Sequence, residues 1–206
     1  ITLLWWIMSL ELAKHKKKIT QNIYIPESID LLKSYEVMLT SRLLDEKMLI
    51  LLKQGKSFFH IGCMGHEAVQ VAFAQAMRKN VDFLFPYYRD QAFCLALGQS
   101  VYECLLSFFA KADDPHSAGR QMPMHYGNKA LNIPTSSSST GTQFLQSVGN
   151  ALAAKRLFEL KETADCAVTI CSCGDGTTSQ GEFYEALSWA AKDKRSEEHT
   201  SELQSH

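Results

Sequence analysis

The chain has 206 residues, 46% of them hydrophobic and 21% charged, with a formal net charge of -1. That length is enough for one sizeable α/β domain with a buried core, and the composition excludes a disordered chain. The near balance of charge excludes an overall field that would recruit nucleic acid or an anionic membrane.

The opening run ITLLWWIM is apolar, but it is far shorter than the roughly 20 residues needed to span a bilayer. The basic run KHKKK (residues 14–18) follows it, the wrong order for a secretory signal. Residues 1–30 therefore read as an N-terminal extension, with Met8 as an alternative start and the lysines as a solvated segment. The six cysteines, Cys63, Cys94, Cys104, Cys166, Cys171 and Cys173, show no CxxC or zinc-finger spacing and fall mostly in apolar segments. They are expected to be reduced core residues of an intracellular protein.

A first helix is signalled by Pro26 and Ser28 at its start, by a core stripe of Leu32, Tyr35, Met38, Leu39, Leu43, Met48 and Leu52, and by Gly55 as its stop. A second follows GHEA, with Val69, Ala72, Phe73, Ala76 and Met77 on one face. DFLFPYYRD reads as a short strand ending in a proline and two tyrosines. Residues 91–111 read as helix interrupted near Gly98, with Val101, Leu105, Phe108 and Phe109 buried.

Residues 113–139 have no sustained period, yet they are too rich in Met, Tyr, Leu and Ile for a linker, so a binding loop is expected. TQFLQSVGNALAAKRLFEL then forms a helix with Phe144, Val148, Leu152 and Ala153 on one face. Gly149 within it suggests close approach of a neighbouring backbone, because a mid-helix glycine costs ~1 kcal/mol against alanine. Residues 167–173 read as a buried parallel strand. A last helix follows with Phe183, Leu187, Ala190 and Ala191 on one face and Thr178 or Ser179 as cap. The closing RSEEHTSELQSH (195–206) abandons that period and reads as a translated sequencing adapter, which implies that the native sequence continues past Lys194.

Between that strand and helix lies CGDGTTSQ. Gly174, Asp175 and Gly176 fall at the carboxyl end of a strand, where open α/β sheets bind ligands. Glycines there let backbone N–H groups approach a phosphate, and a helix N-terminus favours negative charge. Asp175 would repel a bare diphosphate but suits a Mg²⁺ ion bridging to it. Taken alone, the same triplet is more often simply a tight turn.

Four ordered segments carry more: GHEAVQVAFAQAM (65–77), FPYYRD (85–90), GRQMPMHYGNKALN (119–132) and CGDGTTSQGEFYEAL (173–187). With them the chain resembles the N-terminal part of the alpha subunit of the thiamine-diphosphate-dependent decarboxylating component of 2-oxo acid dehydrogenase complexes, of the branched-chain (2-oxoisovalerate) type. The resemblance implies an α/β thiamine-diphosphate-binding fold, a parallel sheet with helices on both faces, occupied in part by residues 31–194. It implies that Tyr88 and Arg89 bind the cofactor phosphates, as a guanidinium fork suits. Ser138 and Thr140 would face the aminopyrimidine, although Ser139 and Thr140 stand where relatives often have a proline and an apolar residue.

Gly174, Asp175, Gly176 and Thr177 match the start of the thiamine motif, with Asp175 as the magnesium ligand. Phe59 and Tyr88 match positions near the substrate. His125 is a candidate for proton transfer, the alternative being a structural hydrogen-bonder. Thr142 and Gln143 resemble a potassium site, or are plain helix-start residues. Without the resemblance, Arg89 reads as an ion-pair partner of Asp90 or a neighbour.

The implied activity is oxidative decarboxylation of a 2-oxo acid with acyl transfer to a lipoyl group. It requires a beta subunit or fused beta-like half and a lipoyl-bearing acyltransferase, so the chain alone is expected to be incomplete. The expected location is the bacterial cytoplasm or another reducing compartment. Alternatives are the alpha chain of a pyruvate or acetoin enzyme, or a non-catalytic assembly module. A magnesium phosphohydrolase would need a nucleophile or carboxylate cluster that the sequence does not offer.

Overall fold

A computed structural model describes residues 29–192. Helix α1 (Leu31–Lys53) starts at Asp30, whose carboxylate accepts the Lys33 N–H at 2.9 Å, an N-cap that satisfies one free donor. The start expected at Pro26 and Ser28 lies outside the described residues. α2 spans Glu67–Ala76, α3 Gln91–Leu97 and α4 Val101–Phe108. The break expected near Gly98 is present: Gly98 closes α3 at φ +122°, and Ser100 opens α4 with a reciprocal capping box to Glu103.

Both amphipathic readings at the start of the chain were reversed in large part: Met48 is buried and Leu52 and Met77 pack against the core as expected, but the other expected inward positions face out or only half in. On α1 the inward residues are Ser34, Ser41, Leu44, Asp45 and Met48, while Leu32, Tyr35, Leu39 and Leu43 are exposed. On α2 the inward residues are Glu67, Gln70, Val71 and Ala74, and Phe73 is exposed. A period identifies faces but does not choose the inward one when both carry apolar residues. The choice was made by hydrogen bonding between closely packed helices. Gln91 donates to the Ser41 carbonyl at 3.0 Å, and Arg42 Nε donates to Glu67 Oε1 at 2.7 Å. Val101 is likewise exposed, whereas Phe108 is fully buried.

The strands are β1 (Phe83–Phe85) and β2 (Thr169–Cys171), parallel, with Phe83 opposite Thr169 and Phe85 opposite Cys171. β2 is shorter than the 167–173 run expected. An α/β class with a small parallel sheet is therefore present among the described residues. α5 (Thr142–Glu159) packs on β2 and on α6 (Gly181–Lys192), with Asn150 Nδ2 donating to Thr169 Oγ1 at 2.8 Å. A Cβ added at Gly149 would meet nothing within 4 Å, so the close approach expected there does not occur.

The long 113–139 segment is inserted into the core through Met124, Tyr126 and Ile133, all buried beside Leu84, Phe93 and Phe108. Buried Asp114 ties its first turn, accepting the N–H groups of His116 and Ser117 at 3.1 Å. Gly119 is needed there: its φ is +71° and a Cβ would stand 2.5 Å from the Ala110 carbonyl oxygen. Cys63, Cys94 and Cys104 are buried, and Cys171 and Cys173 are half-buried. Cys166 is exposed, contrary to the core role expected, because it lies in the turn before β2.

Candidate functional site

The carboxyl ends of the two parallel strands carry the expected motifs side by side. After β1 the chain runs through Pro86 into Tyr87, Tyr88, Arg89 and Asp90. Asp90 is fully buried at the start of α3, accepting the Tyr87 N–H at 2.9 Å and Gln70 Nε2 at 3.0 Å. Burial pushes its carboxyl up to about 6, against hydrogen bonds from Ser172, Tyr87 and Gln70 that favour the ionised form. Asp90 thus turns inward, and no ion pair with Arg89 is found among the described residues.

After β2, Gly174 leads into a 3-10 turn, Asp175–Ser179, with α6 starting only at Gly181. The expected caps act otherwise: Thr178 Oγ1 donates to the Asp175 carbonyl and Ser179 Oγ to the Gly176 carbonyl, both at 2.7 Å. A single tight turn, not a long helix, follows the glycines. The two strand ends touch at Gly174, where a Cβ would stand 2.8 Å from the Tyr87 hydroxyl and 3.0 Å from the ring. Burial, then hydrogen bonding with Tyr88, pushes the Tyr87 phenol up to about 12, while a hydrogen bond with Arg89 pulls the other way. Tyr87 therefore remains a neutral hydroxyl donor near neutral pH.

A cleft opens above this junction, lined among others by Tyr87, Tyr88, His125, Ser138, Thr140 and Gln143. His125 Nδ1 lies 3.0 Å from the Met122 carbonyl and 3.1 Å from that of Pro123. Both neighbours are acceptors, so Nδ1 carries the proton. Nε2 then takes the Ser138 hydroxyl at 2.8 Å as its donor when the ring is neutral. The serine-rich loop also abuts the 3-10 turn: a Cβ at Gly141 would stand 3.2 Å from Gln180 Cβ and 3.8 Å from Thr177 Cγ2. Thr177 is buried there, whereas Asp175 and Gly176 are exposed.

Of the expected site residues, Tyr88, His125, Ser138 and Thr140 share the cleft, and Gly174 and Thr177 form its neighbouring turn. Arg89 and Phe59 do not line it. Arg89 Nη1 donates to the Gly62 carbonyl at 2.5 Å and its guanidinium carbon lies 5.4 Å from the Tyr88 ring centroid. Phe59 is half-buried in the loop between α1 and α2. Thr142 Oγ1 donates to the Ser139 carbonyl at 2.9 Å, and Gln143 links the Gly141 N–H to the Ser172 carbonyl. Both brace the start of α5, as the helix-start reading requires. Tyr87 was missed, although the doubled tyrosine of FPYYRD signals it. Among the described residues no three His, Cys, Asp or Glu side chains gather as a metal cage.

These loops, carried on the carboxyl ends of parallel strands, place the candidate site in an α/β fold. The family described as Dehydrogenase E1 component matches residues 35–195, and the chain belongs to that family. It is 42% identical over 168 residues to the 2-oxoisovalerate dehydrogenase subunit alpha of Bacillus subtilis, covering 82% of this chain and 48% of that protein. It is 34% identical over 172 residues to the mitochondrial 2-oxoisovalerate dehydrogenase subunit alpha 2 of Arabidopsis thaliana, covering 84% and 34%. Over 160 residues it is 32% identical to the subunit alpha of Pseudomonas aeruginosa, covering 78% and 37%. The chain spans about half or less of the length of these relatives. No helix among the described residues is long and apolar enough to cross a membrane.

Proposed function

We propose that this chain forms the cofactor-binding part of an alpha subunit that decarboxylates a branched-chain 2-oxo acid using thiamine diphosphate. The observation that carries the proposal is the junction of Tyr87 against Gly174, which sets FPYYRD and CGDGTT side by side at adjacent strand ends. The residues fit the group. Gly174 lets the Tyr87 ring pack against the turn, the backbone beside Gly176 is open with nothing within 4 Å of an added Cβ, and exposed Asp175 offers the single carboxylate that Mg²⁺ commonly takes alongside phosphate oxygens.

In this reading Asp175 holds Mg²⁺, and Gly174, Gly176 and Thr177 present backbone and hydroxyl groups to the diphosphate. Arg89 and Tyr88 close on it from the β1 side. Ser138 and Thr140 face the aminopyrimidine, and Phe59 and Tyr88 border the substrate. When bound, thiamine diphosphate supplies the carbon nucleophile and the electron sink for loss of carbon dioxide. His125, with its Nδ1 proton committed to two carbonyls, offers Nε2 as the base, and the Ser138 hydroxyl can relay to it, giving its proton to Nε2 as it takes one from the reacting group and running in reverse to return it. A beta subunit or fused beta-like half supplies the remainder of the site, and the acyl group passes to a lipoyl-bearing acyltransferase. Potassium at Thr142 and Gln143 is a secondary proposal, since both side chains already serve the turn.

Calorimetric titration of the completed chain, with its beta partner, against thiamine diphosphate and Mg²⁺ tests the proposal. Saturable, magnesium-dependent binding that Asp175→Ala abolishes is expected. No binding under any of these conditions would favour the non-catalytic assembly module instead.

A further inference from the structure

Outside the cleft, the loop between α1 and α2 is fastened by a buried pair that the cofactor reading leaves unused. His60 Nε2 lies 3.0 Å from Asp45 Oδ1, with side chains 3% and 1% exposed. The same carboxylate oxygen accepts the Cys63 N–H at 3.1 Å. One residue earlier, the Gly62 carbonyl accepts Arg89 Nη1. The His60 ring stands edge-on to Phe108, with centroids 6.1 Å apart.

Stability is a poor account of this pair. Burying polar atoms without partners costs free energy, and here Asp45 Oδ2 and His60 Nδ1 are both buried without hydrogen-bond partners. Geometry is a better account, because one oxygen of Asp45 holds both ends of the turn 60–63. That turn carries the carbonyl to which Arg89 is tied.

We infer that Asp45 and His60 are positioning residues for Arg89. By seating the Gly62 carbonyl they commit one N–H of the guanidinium to the protein and aim its remaining donors at the diphosphate. A guanidinium has five N–H donors in a rigid fork, so anchoring one fixes the direction of the others. The inference rests on the proposed role of Arg89 in phosphate binding, and it adds two residues that touch neither cofactor nor substrate.

Two measurements test it. In the free chain, the rate at which phenylglyoxal modifies Arg89 is followed by peptide mass spectrometry, with Arg120 and Arg156 as references. His60→Leu and Asp45→Ala are expected to raise the Arg89 rate about fivefold while the references hold, since a freed guanidinium is more accessible. His60→Gln, which keeps an N–H donor toward Asp45, is expected to stay at the original rate. An unchanged Arg89 rate, or a rise shared equally by Arg120 and Arg156, overturns the inference.

In the completed chain with its beta partner, His60→Leu should weaken thiamine diphosphate binding about tenfold and add nothing in an Arg89→Gln background, as residues acting through one group are not additive. Additive losses overturn the inference. If the Arg89 rate responds as expected but thiamine diphosphate never binds, the cofactor reading fails and the positioning of Arg89 stands.

Discussion

The two sides of the candidate site are built in opposite ways. The β1 side is anchored from behind: Asp90 is fully buried, holds the Tyr87 backbone and is itself held by Gln70. The β2 side is a short turn whose charged residue, Asp175, faces solvent. One wall spends buried polar groups on fixing geometry, and the other leaves its carboxylate free to meet an ion. Under the proposed function, the first wall would place phosphates and the second would admit a hydrated metal.

The contrast can be broken at its open side first. Asp175→Ala should weaken magnesium-dependent thiamine diphosphate binding at least about a hundredfold while shifting stability by less than about 0.5 kcal/mol, read by calorimetry and urea denaturation. The anchored side should behave inversely. Asp90→Ala should cost roughly 2–4 kcal/mol in urea denaturation, because it strands the Tyr87 N–H and the Gln70 amide.

Acidity sharpens the same contrast. The Asp90 carboxyl is raised from 3.8 to about 6 on folding, so the folded state favours its protonated form. Its contribution is full below about pH 4 and is lost as pH rises through about 6, a loss of roughly 3 kcal/mol relative to Asp90→Asn by pH 7. Urea titrations of both proteins from pH 4 to 7 check this, and a flat difference between them would contradict the assignment.

Gly174→Ala probes the seam between the walls. It should destabilise by about 1–3 kcal/mol through collision with Tyr87, and Tyr87→Phe, which removes the nearest atom, should recover part of that loss. The smallest effect is expected far from the site. Gly149→Ala has open space around the new Cβ and should stabilise by about 0.5–1 kcal/mol, seen as a raised Tm.

The motifs were legible in the sequence because each is a contiguous run with its own chemistry. FPYYRD and CGDGTT announced the strand ends, and Gly98 announced the break between α3 and α4. What the sequence hid was which side of each early helix faces inward. Ser41, Gln70 and Gln91 are polar residues that become core only because their partners come from other helices. No local pattern reports a hydrogen bond across fifty residues, such as Gln91 to Ser41. Tyr87 is an intermediate case: the doubled tyrosine of FPYYRD signalled it, but its contact with Gly174 is visible only in the fold.

On α1 the outward apolar face shares that cause, and α6 has an outward apolar face of its own. Leu32, Tyr35 and Leu43 on α1, and Tyr184, Leu187 and Trp189 on α6, are exposed. Ser34, Ser41 and Asp45 took inner positions on α1, whereas α6 turns Ala186 inward, and apolar surface of this kind is expected to favour aggregation of the isolated chain.

Cys166 offers a practical consequence. Its thiol is exposed in the turn before β2, at the amino end of the strand whose carboxyl end bears Gly174, while the other five cysteines are buried or half-buried. A maleimide fluorophore would therefore attach preferentially there, on the far side of the sheet from the cofactor motifs. Energy transfer from that label would test in real time whether the proposed beta chain arrives, without a dye obstructing the candidate site.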